Sequence, residues 1–244
     1  MANYAKVITE ANKIVPQTAP FVATSGVPHA LQANIANVFT NYTTNESILS
    51  MPMSSSAGDN PGTQNQLGYY FYQNGSTPGS AEFSLNPNGI IADPLWTATD
   101  ARKSLIFTNA GGKKFIAKYK TPSPYTDWVP VMRWSEVLLN LAEALARTNT
   151  GVDARALTLV NAVRQRSDPT TILVATTQQQ LIDIILRERR IELLGEGLRN
   201  NDLMRLLQTI PAKGSAPAKA PTDQGYIWPI AASELSLNNL MTDN

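Results

Sequence analysis

Between Val131 and Leu207 apolar residues return every three or four positions, a period that suits helices. From Val131 to Arg147 the residues Trp134, Val137, Leu138, Leu141, Ala142 and Leu145 share one stripe. Glu136, Asn140, Glu143 and Arg147 lie opposite, with Glu143 and Arg147 at a favourable four-residue spacing. A second helix is predicted from about Asp153 to Ser167, burying Ala156, Leu157, Val160 and Val163. Asp168-Pro169 closes it, because the residue before proline is biased away from helix. A third opens at Thr177, where Thr177 and Gln180 fit a capping box, and runs through Leu181, Ile184, Ile185, Ile191 and Leu194 towards Gly197. A further turn or two spans about Asn200 to Leu207.

Upstream the pattern is weaker. Tyr4, Val7, Ile8, Ala11, Ile14 and Val15 have helical spacing and stop at Pro16; a second helical stretch is expected from His29 to Asn41. From Met51 to about Leu95 Gly, Pro, Ser, Asn and Gln dominate, broken by Tyr69-Tyr70-Phe71-Tyr72 and followed by Trp96. A loop this long inside a helical chain is uncommon and often functional. The run Lys113 to Tyr119 reads as a short strand, Ile210 to Gly225 as an exposed loop, and Tyr226-Ile227-Trp228-Pro229-Ile230 as an extended apolar segment. Trp134 and Trp228 sit in apolar patterns and are expected in the core. The expected fold is mainly α, with long irregular loops and a few short strands.

Composition narrows the function. Charged residues make up 16% of the chain, against roughly 25% in an average soluble protein, and Asn, Thr, Ser and Gln fill the gap. With 20 basic and 19 acidic residues the net charge is +1, which argues against a phosphate-binding, nucleic-acid partner. There is no cysteine, so disulfides, thiolate metal sites and Cys nucleophiles are excluded. His29 is the single histidine and reads as a helix start. The chain has no run of eighteen apolar residues, and its first residues hold no signal-peptide core.

Three stretches carry a resemblance. Pro130-Val131-Met132-Arg133-Trp134-Ser135-Glu136-Val137-Leu138-Leu139-Asn140-Leu141-Ala142-Glu143-Ala144 is the first. Ala156-Leu157 through Val160-Asn161-Ala162-Val163-Arg164-Gln165-Arg166 is the second. The most specific runs from Ile185-Leu186-Arg187-Glu188-Arg189-Arg190-Ile191-Glu192-Leu193 to Glu196-Gly197-Leu198-Arg199-Asn200-Asn201-Asp202-Leu203-Met204-Arg205. Trp228-Pro229-Ile230 with Glu234-Leu235, Asn45-Glu46-Ser47-Ile48 and Asp100-Ala101-Arg102 are looser matches. Together they resemble the C-terminal domain of the SusD/RagB family, over nearly all of residues 1–244. The resemblance implies a SusD-like, tetratricopeptide-like helical scaffold with no enzymatic activity and no cofactor. It also implies a longer parent protein, whose N-terminal half and lipoprotein signal lie outside this sequence. Such a protein would sit on the outer membrane through a lipid anchor, capture an oligosaccharide or glycopeptide, and pass it to a TonB-dependent, SusC-like transporter. A helical protein-interaction scaffold that binds no glycan is the alternative.

Two groups of residues are candidates for a role. Glu188, Glu192 and Glu196 recur every four positions, and like charges at that spacing repel unless compensated. Arg187, Arg189, Arg190 and Arg199 are close in sequence, so a semi-buried ion network is expected; a metal site or a glycosidase carboxylate pair is the competing account. The second group is Tyr69, Tyr70, Tyr72 and Trp96, with Asn74 beside them in polar sequence and Asn65, Gln66 and Gln73 nearby. Sugar rings stack their apolar faces on aromatic rings and hydrogen-bond to planar amides. The plainer reading is that the tyrosines pin a loop onto the helical body. Trp128, after Tyr125-Thr126-Asp127, fits either role.

Overall fold

The computed structural model describes residues 3–56, 58–62, 66–72, 81–238 and 240–242. The chain divides into two compact units, 3–196 and 197–244, each described by itself.

In the first unit three of the helices form where a side-chain cap and periodicity coincide. Helix α1 (Tyr4–Ala11) starts under Asn3, whose side chain accepts the Lys6 N–H at 3.0 Å. It ends at Asn12, short of the expected Val15, although Val15 still turns into the core. Helix α3 (Trp134–Thr148) is the axis of the unit and packs against α1, α4 (Ala154–Ser167) and α5 (Gln178–Glu192). Its Leu138, Leu139, Leu141, Ala142, Ala144 and Ala146 are fully buried, and so is Trp134, whose indole N–H donates to the Phe21 carbonyl at 2.7 Å. Covering a helix on three sides leaves little polar face: Glu136 and Glu143, expected on the outer side, are buried too.

Asp153 caps α4 through the Ala156 N–H at 2.7 Å, and Asp168 ends it. Thr177 caps α5 through the Gln180 N–H at 3.2 Å. Gln180 reaches back one residue further than the capping box requires, to the Thr176 N–H at 2.9 Å. The stretch His29 to Asn41 is not a continuous helix. Only Ile35–Phe39 coils, as a 3-10 turn capped by Asn34, and it buries Ile35, Val38 and Phe39. His29 lies outside it, stacked on the Trp134 ring at 6.0 Å with Nδ1 2.9 Å from the Asn45 carbonyl.

Two antiparallel ribbons complete this unit: β1 (Ser47–Met51) with β4 (Val129–Arg133), and β2 (Ile106–Thr108) with β3 (Lys114–Ile116). A short helix, α2 (Leu67–Phe71), lies between β1 and β2 in the chain.

The polar centre of the unit is a closed set of ion pairs. Arg102 contacts Asp100 at 2.6 Å, Glu188 at 2.6 Å and Glu192 at 3.1 Å. Arg164 bridges Asp100 at 3.1 Å and Glu188 at 2.5 Å. Arg133 reaches Glu46 at 2.5 Å, Glu192 at 3.0 Å and Glu196 at 2.8 Å. Arg166 joins Glu46 at 2.9 Å to Glu192 at 2.6 Å, and Lys118 meets Glu196 at 2.6 Å. Five carboxylates thus face five cations, with no member's side chain more than 5% exposed.

Two of the expected arginine neighbours, Arg187 and Arg189, meet other carboxylates. A residue one step along a helix is turned about 100°, so Arg189 points instead at Asn140 (2.7 Å) and Glu136 (3.3 Å) on α3. Arg187 pairs with Asp93 at 3.3 Å, and half-buried Arg190 has its guanidinium lowered by burial, with Asp93 acting the other way. Burial alone would raise Glu192, yet Arg166, Arg133 and Arg102 hold it well below the usual carboxylate range. Burial opposes Glu196 likewise, and Arg133 and Lys118 still lower it. Lys118 is lowered as well, since burial outweighs what Glu196 returns to it.

The second unit contains α6 (Leu198–Arg205), which carries Arg199, and α7 (Ala232–Leu237). A small hairpin closed by Ile210 and Lys219 lies between them. Tyr226 is its buried aromatic, and the phenol donates to the Leu203 carbonyl at 3.2 Å and the Gln208 carbonyl at 2.8 Å. Trp228, expected in the core, is 84% exposed. The chain bends at Tyr226 and Ile227, so the extended alternation that would place Trp228 beside Tyr226 is lost.

Removing a shared carboxylate strands several buried guanidinium groups at once. Glu192→Ala is expected to cost about 3–5 kcal/mol in chemical denaturation. The unfolded chain protonates its Glu side chains near their ordinary value, about 4.3, before the folded chain protonates Glu192 and Glu196. Stability from these two groups is therefore present above that value and lost as the pH falls. The melting temperature should drop between about pH 5 and pH 3; a flat profile over that range would contradict this assignment.

Candidate functional site

The tyrosine run lies on α2, and the four-residue repeat of a helix decides which rings face inward. Leu67 and Phe71, four apart, pack against the cluster of Ile35, Val38, Phe39, Leu105, Ile116 and Tyr119. They are the pins of this segment, and Tyr69, Tyr70 and Tyr72 are left half-buried. Tyr70 is edge-on to Tyr69 at 5.2 Å, and Tyr72 is edge-on to Phe107 at 5.5 Å. Phe83 tilts against Tyr70 at 5.9 Å and Phe71 at 5.7 Å, yet it remains 55% exposed. The backbone of Glu82 and Phe83 is tied to α2, both N–H groups donating to the Tyr70 carbonyl at 3.1 Å.

A second aromatic arm comes from the loop before β4. Tyr125 sits at φ 61, a left-handed conformation uncommon outside glycine, and meets Tyr69 edge-on at 5.6 Å. Trp128 stacks on Tyr42 with centroids 5.4 Å apart and planes within 9°, and its indole N–H donates to the Met53 carbonyl at 3.1 Å. The Tyr42 phenol donates to Asp127 Oδ1 at 3.2 Å. Burial first, and then the Asp127 charge, push that phenol well above its usual range, so it stays a donor.

The two arms meet at Gly68. A Cβ there would lie 3.1 Å from Asp127 Oδ2, 3.1 Å from the Thr121 carbonyl and 3.3 Å from Tyr125 Cδ1. Any larger residue would push α2 and the loop apart by a few tenths of an ångström.

The other expected residues fall differently. Trp96 is not on this face. It is 4% exposed, packed with Ile90 and Ile191 under the Lys103 ammonium, which lies 4.4 Å from the ring. The 3-10 turn Ile90–Ala92 and the Trp96 N–H bond to the Asp93 carbonyl fold the indole inward despite its polar flanks. Asn74, with Asn65 and Gln73, lies outside the described residues. Gln66 donates to the Pro61 carbonyl at 3.4 Å. Tyr42, Phe83, Phe107 and Tyr125 were not singled out from sequence; the pairing of Tyr125 with Trp128 around Asp127 was the available signal.

The face therefore offers rings, phenols and backbone groups, and the Asp127 carboxylate beneath it is buried. Glu188 and Glu192, the carboxylates that might have served a hydrolase, are sealed inside the ion network, each held by two or more arginines.

Comparison with known proteins places this arrangement. The sequence profile of the SusD family matches residues 93–244. The chain belongs to the SusD family. SusD-like protein P2 from Formosa agariphila is 34% identical over 131 residues, which is 49% of this chain and 26% of that protein. A SusD superfamily protein from Bacteroides fragilis superposes with a TM-score of 0.71 at 30% identity, covering 86% of this chain and 48% of that one. Surface glycan-binding protein A from Bacteroides thetaiotaomicron, solved with laminarihexaose, shares the fold with a TM-score of 0.67 at 18% identity, over 91% of this chain and 56% of that one. A shorter match, 36% identical over 93 residues, is to a cyanate hydratase from Burkholderia ambifaria, 38% of this chain and 58% of that one. The chain thus spans about half the length of these two solved structures and matches about a quarter of SusD-like protein P2.

Gly68→Ala should disturb the junction of the two arms, because the Thr121 carbonyl is backbone and cannot swing aside. A loss of about 1–2 kcal/mol is expected from thermal unfolding, despite the better helix propensity of alanine. An unchanged or raised melting temperature would show that α2 and the loop are not in close contact.

Proposed function

We propose that this chain is the glycan-holding part of a surface nutrient-capture protein, which takes up a neutral oligosaccharide and delivers it to a TonB-dependent transporter in the outer membrane. The observation that carries the reading is the half-buried aromatic face of Tyr69, Tyr70, Tyr72, Tyr125 and Trp128, held by Leu67 and Phe71, which pack against a buried cluster. Stacking gives affinity without charge, and phenols at the ring edges can give direction. The laminarihexaose held by the structural neighbour is in keeping with this ligand class. Family membership supports binding rather than catalysis, and burial of Glu188 and Glu192 removes the carboxylates a hydrolase would use. A scaffold that binds no glycan would have no need for a half-exposed ring face of this size, and Phe83 at 55% exposure speaks against it.

Calorimetric titration with laminarihexaose and a panel of neutral oligosaccharides tests the reading. The Tyr69→Ala, Tyr70→Ala, Tyr72→Ala triple variant keeps Leu67 and Phe71 and should fold. Its affinity for whichever glycan binds should fall at least about tenfold. Equal binding by the variant would move the site elsewhere, and an absence of binding to every glycan by the folded parent chain would favour the scaffold.

A further inference from the structure

We infer that Asp127 is the positioning residue of the aromatic face, an inference that rests on the glycan-binding reading above. Asp127 is 2% exposed, so no ligand reaches its carboxylate. Three neutral donors hold it: the Thr121 N–H on Oδ2 at 3.0 Å, the Thr121 hydroxyl on Oδ1 at 2.8 Å and the Tyr42 phenol on Oδ1 at 3.2 Å. The first two close the loop 121–127 on itself and so fix where Tyr125 leaves it. The third anchors the far edge of the Tyr42 ring, which lies flat on Trp128, the residue next to Asp127 in the chain. The approach of Gly68 to Oδ2 brings α2, and with it Tyr69, to the same carboxylate. One buried anion therefore sets the relative positions of Tyr42, Trp128, Tyr125 and Tyr69 while touching no sugar.

In the folded chain both oxygens accept. An amide has one acceptor: if it takes the Thr121 N–H, its NH2 faces the Thr121 and Tyr42 hydroxyls, which must turn round to accept and lose the acceptor they donate to, and in the reverse orientation the NH2 meets the Thr121 N–H. A residue that only stabilised the fold would act on binding through the fraction folded. A positioning residue acts through the rings it orients.

The test is a coupling measurement on the folded chain. Asp127→Asn should weaken binding of the glycan bound by the parent about tenfold at a temperature where both are fully folded. It should also change the near-ultraviolet circular dichroism that the stacked Tyr42 and Trp128 rings produce. In a Tyr125→Ala, Trp128→Ala background the same substitution should change affinity less than about twofold, because the rings it positions are gone. Tyr42→Phe keeps the ring, deletes only the phenol oxygen and decides the matter if Asp127→Asn does not fold; it should weaken binding several-fold. Parent-like binding by both variants, or an equal loss from Asp127→Asn with and without Tyr125 and Trp128, would overturn the assignment. If the parent binds no glycan, the functional reading fails on its own. The dichroism of the variants still decides whether Asp127 orders the rings: an unchanged spectrum refutes it.

Discussion

A carboxylate ladder of Glu188, Glu192 and Glu196 would repel itself in the interior, and the fold exists only because five cations converge on it. Burying so many charges is costly unless each is paired with good geometry. Arg133 and Arg166 meet this demand by sharing Glu46 and Glu192, and Arg102 and Arg164 by sharing Asp100 and Glu188. The network ties the loop before β1, the turn before β2, the start of α3, the end of α4 and the end of α5 to one another. It fixes the ends of the helices, whereas the apolar face of α3 fixes their sides.

The family motifs acquire a physical meaning from this arrangement. Glu46, Asp100 with Arg102, Arg133, Arg164 with Arg166, and the three glutamates are charged positions of five separate sequence matches, and all of them end in the same cluster. What these five stretches share is the charge set of one buried site. The residues that would meet a ligand lie outside these stretches, on α2 and on the loop before β4. The scaffold and the aromatic face can thus vary separately.

The helices α3, α4 and α5 could be read from apolar period, and the end of α4 and the start of α5 from Asp168-Pro169 and Thr177, because all of these signals are local. The charged ladder was legible as one half of an ion network, but its partners were not. Arg102 and Arg133 are far from α5 in sequence, and no local spacing signals such a pairing. The same limit governed the site. Tyr69, Tyr70 and Tyr72 stood out as rings in polar sequence, while Trp96 stood out for the same reason and is buried by the Ile90–Ala92 turn. Polar flanks mark a loop without saying which way its aromatic turns. Asp127 could not be recognised, since its importance comes from Tyr42 and Gly68, both distant along the chain.

The network also changes how the molecule meets its surroundings. Of 20 cationic and 19 anionic side chains, five of each are locked inside it and cancel there. On the proposed function, a neutral oligosaccharide offers the remaining surface charge nothing to act on. Encounter would then be governed by diffusion and shape rather than by electrostatic steering, so the rate of capture should be nearly indifferent to ionic strength from fresh water to brine.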